Sequence, residues 1–187
     1  MPMDAPLDLA TMTLTQVAAA LAEKKLPPVA LWNPAHCGDS HMRIARGGTW
    51  FHEGSPIGRE AMVRLFATIL RRESDGSYVL VTPAEKLSIS VEDAPFVAVE
   101  LKSEGTGRAR RLAFRLNVGE VVVAGPGHGL RFAEQGEGPV PYLHVRGGLE
   151  ARLARSVYYE FVDLALDEGA DPPGLWSDGA FLAIAPA

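Results

Sequence analysis

Trp50-Phe51-His52-Glu53-Gly54-Ser55-Pro56-Ile57-Gly58-Arg59 is the stretch from which the fold is read. Trp50 to Glu53 has strand character, and Ser55 followed by Pro56 is the cap-then-proline order that opens a helix. The helix predicted from there buries Ile57, Ala61, Leu65 and Ile69, joined by Met62, Phe66 and Leu70. Just upstream, Met42-Arg43-Ile44-Ala45 and Thr49 to Glu53 flank Gly47-Gly48, a hairpin signal. The same hairpin-helix pattern recurs 92 residues later, pairing Trp50 with Tyr142, His52 with His144, Ala61 with Leu153 and Leu65 with Val157. A shift close to half the chain suggests an internal duplication.

Working outward, Leu14 to Lys25 is expected to be a first helix with Thr13 as N-cap and Leu14, Val17, Ala18 and Leu21 on one face. Pro27-Pro28 ends it, and a polar loop is expected from Trp32 to Ser40. Tyr78 to Thr82 and Lys86 to Val91 read as strands. In the second half, strands are expected at Phe96 to Leu101, Leu112 to Leu116, Val121 to Val123, Leu130 to Ala133 and Tyr142 to Val145. A long helix over Leu149 to Leu166 follows, with Leu149, Leu153, Val157, Phe161 and Leu164 as its core stripe. Gly169 and Pro172-Pro173 stop it, and Phe181 to Ile184 is expected to close the sheet. The fold class is α+β with two topologically related lobes, residues 1–93 and 94–187.

At 187 residues and 47% hydrophobic, the chain can bury a core without disulfides or metal. The apolar runs are too short to cross a bilayer, and Met1 to Leu9 lacks the basic cluster of a secretory signal. The single cysteine, Cys37, fits a reducing compartment, so a cytoplasmic location is expected. A net charge of −5 argues against nucleic-acid binding. Of the 18 basic residues 14 are arginine, which leaves room for a local anion site.

Candidate chemistry is sparse. His36-Cys37-Gly38-Asp39-Ser40-His41, with His52 nearby, contains zinc-ligand types but matches no zinc spacing, so no metal is expected. The Trp50 to Arg59 stretch could hold an anion at a helix N-terminus, with Arg59 in the first turn. Gly125-Pro126-Gly127-His128-Gly129 lacks the Lys-Ser/Thr ending of a P-loop, and Arg108 to Arg115 is a basic strip on an expected hairpin. No nucleophile elbow, dinucleotide fingerprint or zinc-protease motif is present, which lowers the case for an enzyme.

A wider set of blocks resembles one bacterial family. Cys37-Gly38-Asp39, Met42-Arg43-Ile44, Gly48-x-Trp50-Phe51-His52-Glu53-Gly54-Ser55-Pro56-Ile57-x-Arg59 and Leu65-Phe66 are similar to the family called domain of unknown function 1285. So are Val81-Thr82-Pro83-x-Glu85-Lys86, Val91-Glu92-Asp93-Ala94-Pro95-Phe96, Phe114-Arg115-x-Asn117-x-Gly119 and Val145-Arg146-Gly147-Gly148-Leu149. The chain departs from the pattern at His41 and in the loop from Gly125 to Gly129. The resemblance implies two related lobes, the C-terminal one like a pleckstrin-homology sheet with a capping helix, and a nucleotide-like ligand in the cleft between them, with a role in signalling. It brings no catalytic residues and no defined cofactor.

The expected function is therefore a ligand-binding or signalling module for a nucleotide-like or other phosphate-bearing small molecule. The residues expected to contact it are Arg43, His52, Arg59, Lys86 and Arg146 for the anion, with Trp50 as a stacking surface. A protein-interaction adaptor using the Arg108 to Arg115 hairpin is the alternative, and a hydrolase using His52 or a loop metal the less favoured one. Neither nucleic acid nor membrane is expected as a partner.

Overall fold

Strands outnumber helices in the regular structure of this chain, and in several of them buried and exposed side chains alternate. The computed structural model describes residues 10–184. The first sheet contains β1 (His36–Ile44), β2 (Trp50–His52), β3 (Ser55–Pro56), β4 (Leu70–Arg72), β5 (Tyr78–Val81) and β6 (Glu85–Val91), in the order β3-β2-β1-β6-β5-β4. The second contains β7 (Phe96–Glu104), β8 (Arg111–Leu116), β9 (Val121–Val123), β10 (Leu130–Glu134), β11 (Pro139–Arg146) and β12 (Leu149–Leu153), in the order β10-β11-β12-β7-β8-β9. Each sheet is thus two three-stranded meanders. Their first and last strands, β1 with β6 and β7 with β12, pair in parallel at the centre.

The helices enter this scheme at different points. Helix α2 (Glu60–Thr68) joins the two meanders of the first sheet, whereas α3 (Arg155–Glu168) follows the last strand of the second. Strands β13 (Gly174–Ser177) and β14 (Ala180–Ala183) form a separate hairpin rather than closing a sheet. That hairpin is held to the second sheet by Ser177, whose hydroxyl donates to the Ala124 carbonyl and accepts from Leu112 N–H.

Helix α1 (Leu14–Glu23) opens on a reciprocal cap, in which Thr13 Oγ1 accepts from Gln16 N–H and Gln16 Oε1 accepts from Thr13 N–H. Leu14 and Val17 are fully buried against Ala113 and Val121. The side chains of Ala18 and Leu21, expected on the same face, lie outside the described residues, as does the Met1 to Leu9 segment.

Three expectations need correction. Ser55-Pro56 does not open a helix. Glu53 and Gly54 both take positive φ, 48° and 83°, so they make a two-residue hairpin turn that pairs Ser55 with His52. The helix starts at Glu60, its buried side is built from Val63, Phe66 and Ala67, and Leu65 is 61% exposed. Leu70 belongs to β4 rather than to the helix.

The second correction concerns the long helix. Leu149, Ala151 and Leu153 are buried in alternation with half-exposed Glu150 and Arg152, which is strand periodicity. Leu149 and Leu153 satisfy a four-residue helical spacing equally well, and that ambiguity hid the strand. The helix begins only at Arg155 and ends at Gly169, which takes the left-handed conformation that caps a helix C-terminus. The gapless 92-residue correspondence therefore fails in this stretch, since it sets Ala61 of α2 against Leu153 of β12.

Third, the supposed polar loop up to Ser40 is partly strand. His36 to Asp39 pair with Glu85 to Ser88 of β6 before an irregularity at Asp39 to Met42. There His41 has φ 56°, and Asp39 Oδ1 accepts its N–H.

The two sheets share one core. Ile44, Trp50, Leu70 and Leu80 of the first cluster with Phe96, Phe114, Leu116, Val145 and Leu149 of the second. The seam is tight at Gly48, where a Cβ would lie 2.6 Å from Asn117 Nδ2 and the backbone has φ 93°. Asn117 Nδ2 donates to the Gly48 carbonyl while its Oδ1 accepts from Val97 N–H. Gly48→Ala is expected to lower stability by about 1–3 kcal/mol through strain and displaced packing. A urea-unfolding midpoint unchanged from the parent chain would contradict that.

Candidate functional site

Two cavities open between the sheets, and the turn carrying Gly47 and Gly48 borders both. The larger, about 970 Å³, is lined by Arg46 and Gly47 from the first sheet and by Val97, the 135–141 segment, Arg152 and the start of α3 from the second. The smaller, about 260 Å³, is lined by Gly48, Thr49, Trp50 and α2 on one side and by Arg115 to Gly119 on the other.

The larger cleft is the more basic. Arg46 Nη2 donates to Gln135 Oε1 across the seam at 2.8 Å. Arg152 is 3.2 Å from Asp93, so most of its charge is spent within the protein. Arg155 is 76% exposed and lies 3.8 Å from a still more exposed Glu137, a pairing that contributes little. Arg155 is also the first residue of α3, which has no side-chain cap and no acidic residue in its first turn. Free N–H groups and the helix dipole make that end electropositive, and an arginine placed there adds to the field instead of balancing it. Tyr158 and Tyr159 line the same cleft, and Tyr159 is 58% exposed.

Beside this lies a part-buried polar network. Tyr142 O–H donates to Asp93 Oδ1 at 2.6 Å and accepts from Gln135 Nε2 at 2.6 Å, while Arg152 approaches the other Asp93 oxygen. Burial, and then the hydrogen bond to Asp93, push the Tyr142 phenol up to about 12. A phenolate there would lose its donor role and face a carboxylate, so Tyr142 acts as a fixed donor that links the β6–β7 junction to β11. The Asp93–Tyr142–Gln135–Arg46 chain ties the wall of the cleft to its base.

The six residues expected from sequence do not converge. None lines the larger cleft, and of the six only Trp50 lines the smaller. Trp50 is fully buried and stacked on Phe66, with ring centroids 6.4 Å apart, so it is a core residue rather than an open platform. Arg43 pairs with Glu92 and lies over Phe51, 4.3 Å from the ring centroid. Lys86 sits opposite Cys37, about 13 Å along β6 from the position level with Arg43. His52 is exposed beside the β2–β3 turn, and Arg59 is exposed at the start of α2. Arg146 is a structural tie. Its Nη1 holds Glu120 at 2.5 and 2.7 Å, and its Nη2 donates to the Ala67 carbonyl near the C-terminal end of α2, a favourable place for a cation.

The basic strip is likewise engaged. Arg110 pairs with Glu168 at 2.5 Å, Arg115 with Glu100 at 2.5 Å and Arg111 with Asp178 at 3.7 Å, while Arg108 lies over Trp176. Among the described residues no group of three His, Cys, Asp or Glu side chains is placed to share a metal ion. Sequence reasoning passed over Arg46, Gln135, Arg155 and Tyr159. The signal for Arg155 was available only once the helix start was placed correctly.

A mixed α+β protein with two six-stranded sheets is the class these features define, and comparison gives its family. Residues 27–94 match the N-terminal domain of the family described as domain of unknown function DUF1285, and residues 95–184 match its C-terminal domain. The chain belongs to this family. It is 49% identical to a DUF1285 family protein from Silicibacter pomeroyi DSS-3, with a TM-score of 0.78 over 89% of this chain and 92% of that one. A DUF1285 family protein from Shewanella baltica OS155 is 27% identical, with a TM-score of 0.52 over 66% of this chain and 91% of that one. No curated protein matches the chain.

Two outcomes follow from the seam. Arg146→Ala should cost about 1–3 kcal/mol in urea unfolding, because Glu120 and the Ala67 carbonyl lose their common donor; an unchanged midpoint would show that this tie is dispensable. Tyr142 holds its proton more tightly in the folded chain than in the unfolded one, where a phenol titrates near 10. Its contribution to stability is full below about pH 10 and is lost as pH rises towards 12. Tyr142→Phe should flatten that alkaline decline, as read by unfolding midpoints from about pH 9 upward. An equally steep decline in the variant would assign it to other groups.

Proposed function

We propose that the chain is a ligand-binding module whose larger inter-sheet cleft takes a phosphate-bearing small molecule of nucleotide-like size. The observation that carries this reading is that Arg46, Arg155 and the uncapped start of α3 all line the same 970 Å³ cleft. Backbone N–H groups at a helix start bind phosphate readily, and arginine adds charge-assisted hydrogen bonds. The cleft volume lies at the upper end of small-molecule sites, roughly 300–1,000 Å³. Tyr159 offers a ring against which a base or other planar group could stack. A signalling role, a cytoplasmic location and freedom from nucleic acid and membrane belong to the same proposal. Among the described residues no helix is long and apolar enough to cross a membrane.

The common strand order of the two sheets supports a duplicated unit comprising residues 1–93 and 94–187. Strands followed by a closing helix in the second unit support its likeness to pleckstrin-homology folds. A second reading, a protein-interaction adaptor, is favoured by the exposed Tyr159 and Leu166 on α3 and by Leu65 on α2. A hydrolase has less support, since no nucleophile–base pair is evident in the cleft.

A thermal-shift screen against nucleotides, sugar phosphates and divalent metals separates these readings. Ligand at about 100 times its dissociation constant stabilises by roughly 2.7 kcal/mol, a shift of several degrees. A phosphate-bearing compound should raise the melting temperature of the parent chain and of Arg59→Ala, but not of an Arg46→Ala/Arg155→Glu double variant. No response to any phosphate compound, or an equal response in the double variant, would overturn the cleft assignment.

A further inference from the structure

A single turn engages both arginines on which the phosphate reading of the larger cleft depends. Residues 135–138 connect β10 to β11 and line that cleft together with Arg46 and Arg155. Gln135 Oε1 accepts from Arg46 Nη2 at 2.8 Å, and the Glu137 carboxylate lies 3.8 Å from Arg155 Nη2. The two contacts differ in how they are held. Gln135 is anchored from behind, since its Nε2 donates to the Tyr142 hydroxyl oxygen at 2.6 Å. Glu137 has a side chain that is 93% exposed, and its carboxylate is paired with Arg155. Gly136 and Gly138 flank it with φ 58° and 119°, and a Cβ at either would meet nothing within 4 Å. The tip of the turn therefore stands clear of its neighbours at both positions.

Among the described residues that line the larger cleft, Glu137 is the one acidic side chain, beside Arg46, Arg152 and Arg155. We infer that Glu137 is a built-in counter-ion, an autoinhibitory contact that a phosphate-bearing ligand must displace from Arg155. This regulation rests on the phosphate reading of the larger cleft and adds a resting state to it. Carboxylate and phosphate use the same planar donors of a guanidinium, so they compete. The phosphate brings more charge and more acceptor oxygens, which favours the exchange. The contact is also weak enough to yield. An exposed ion pair of this kind lowers the affinity of a competitor by no more than about fivefold. Gln135 is neutral and leaves the charge of Arg46 in place, so only Glu137 has to move.

The test is an NMR titration of the full chain with inorganic phosphate and with adenosine diphosphate. It is followed at the backbone amides of Arg155, Ser156 and Val157 and at the side-chain carboxyl carbon of Glu137, whose resonance is assigned by its loss in Glu137→Gln. In the parent chain, adenosine diphosphate should move that carbon resonance to the position it holds in ligand-free Arg155→Gln, where no guanidinium faces it. Glu137→Gln should tighten both ligands by about two- to fivefold, the range an exposed ion pair supplies. Two results would overturn the contact and leave the phosphate reading intact: amides that respond to ligand while the Glu137 carboxyl resonance stays in place, or equal affinities in the parent and Glu137→Gln. Amides that respond to neither ligand in either chain would overturn the phosphate reading, and this contact with it.

Discussion

The approach of the Gly47-Gly48 turn to Asn117 sets the geometry between the two sheets. With the Gly48 carbonyl 3.1 Å from Asn117 Nδ2, and no room there for a Cβ, the β1–β2 hairpin is fixed against the β8–β9 turn. That placement carries Arg46 and Gly47 to the wall of one cavity and Gly48 and Thr49 to the wall of the other. It also brings Trp50 into the core shared by both sheets, beside which a smaller cluster of Leu14, Val17, Ala113 and Val121 packs α1 on the second sheet.

Charge is distributed in keeping with that role. Most arginines near the seam are already paired: Arg146 with Glu120, Arg152 with Asp93, Arg115 with Glu100 and Arg43 with Glu92. Against that background Arg155 stands out, because its partner is a 93% exposed carboxylate at 3.8 Å, while the Arg46 guanidinium donates to a neutral amide and its backbone N–H to Glu92. An arginine at the first position of a helix works against the helix dipole by about 0.3–1 kcal/mol unless an anion accompanies it. The cost is small, but it identifies the end of α3 as the place where negative charge is most favourable.

Much of the fold was legible in local pattern. Val121 to Val123 was readable as a β-branched run after a turn, and the Thr13 cap came from residue chemistry. What misled the reading was degeneracy at short range. Leu149 and Leu153 fit both a two-residue and a four-residue period, and Ser55-Pro56 suits a helix start as well as the strand after a tight turn. The site was less legible because its contacts are remote in sequence: Arg46 meets Gln135 across 89 positions, and nothing local marks either. Motif-rich residues such as His52 and Arg59 drew attention, yet they are exposed beside the β2–β3 turn and at the start of α2 and line neither cavity. The family relation was readable because it rests on many short blocks rather than on any one element.

The most direct test of the account is a crystal structure of the protein grown with a nucleoside diphosphate. The account predicts phosphate oxygens within hydrogen-bond distance of the first-turn N–H groups of α3 and of the Arg155 and Arg46 guanidinium groups, with the base or sugar towards Tyr159. A diphosphate held instead by Arg43, His52 or Arg59, or a larger cleft empty at saturating ligand, would contradict it.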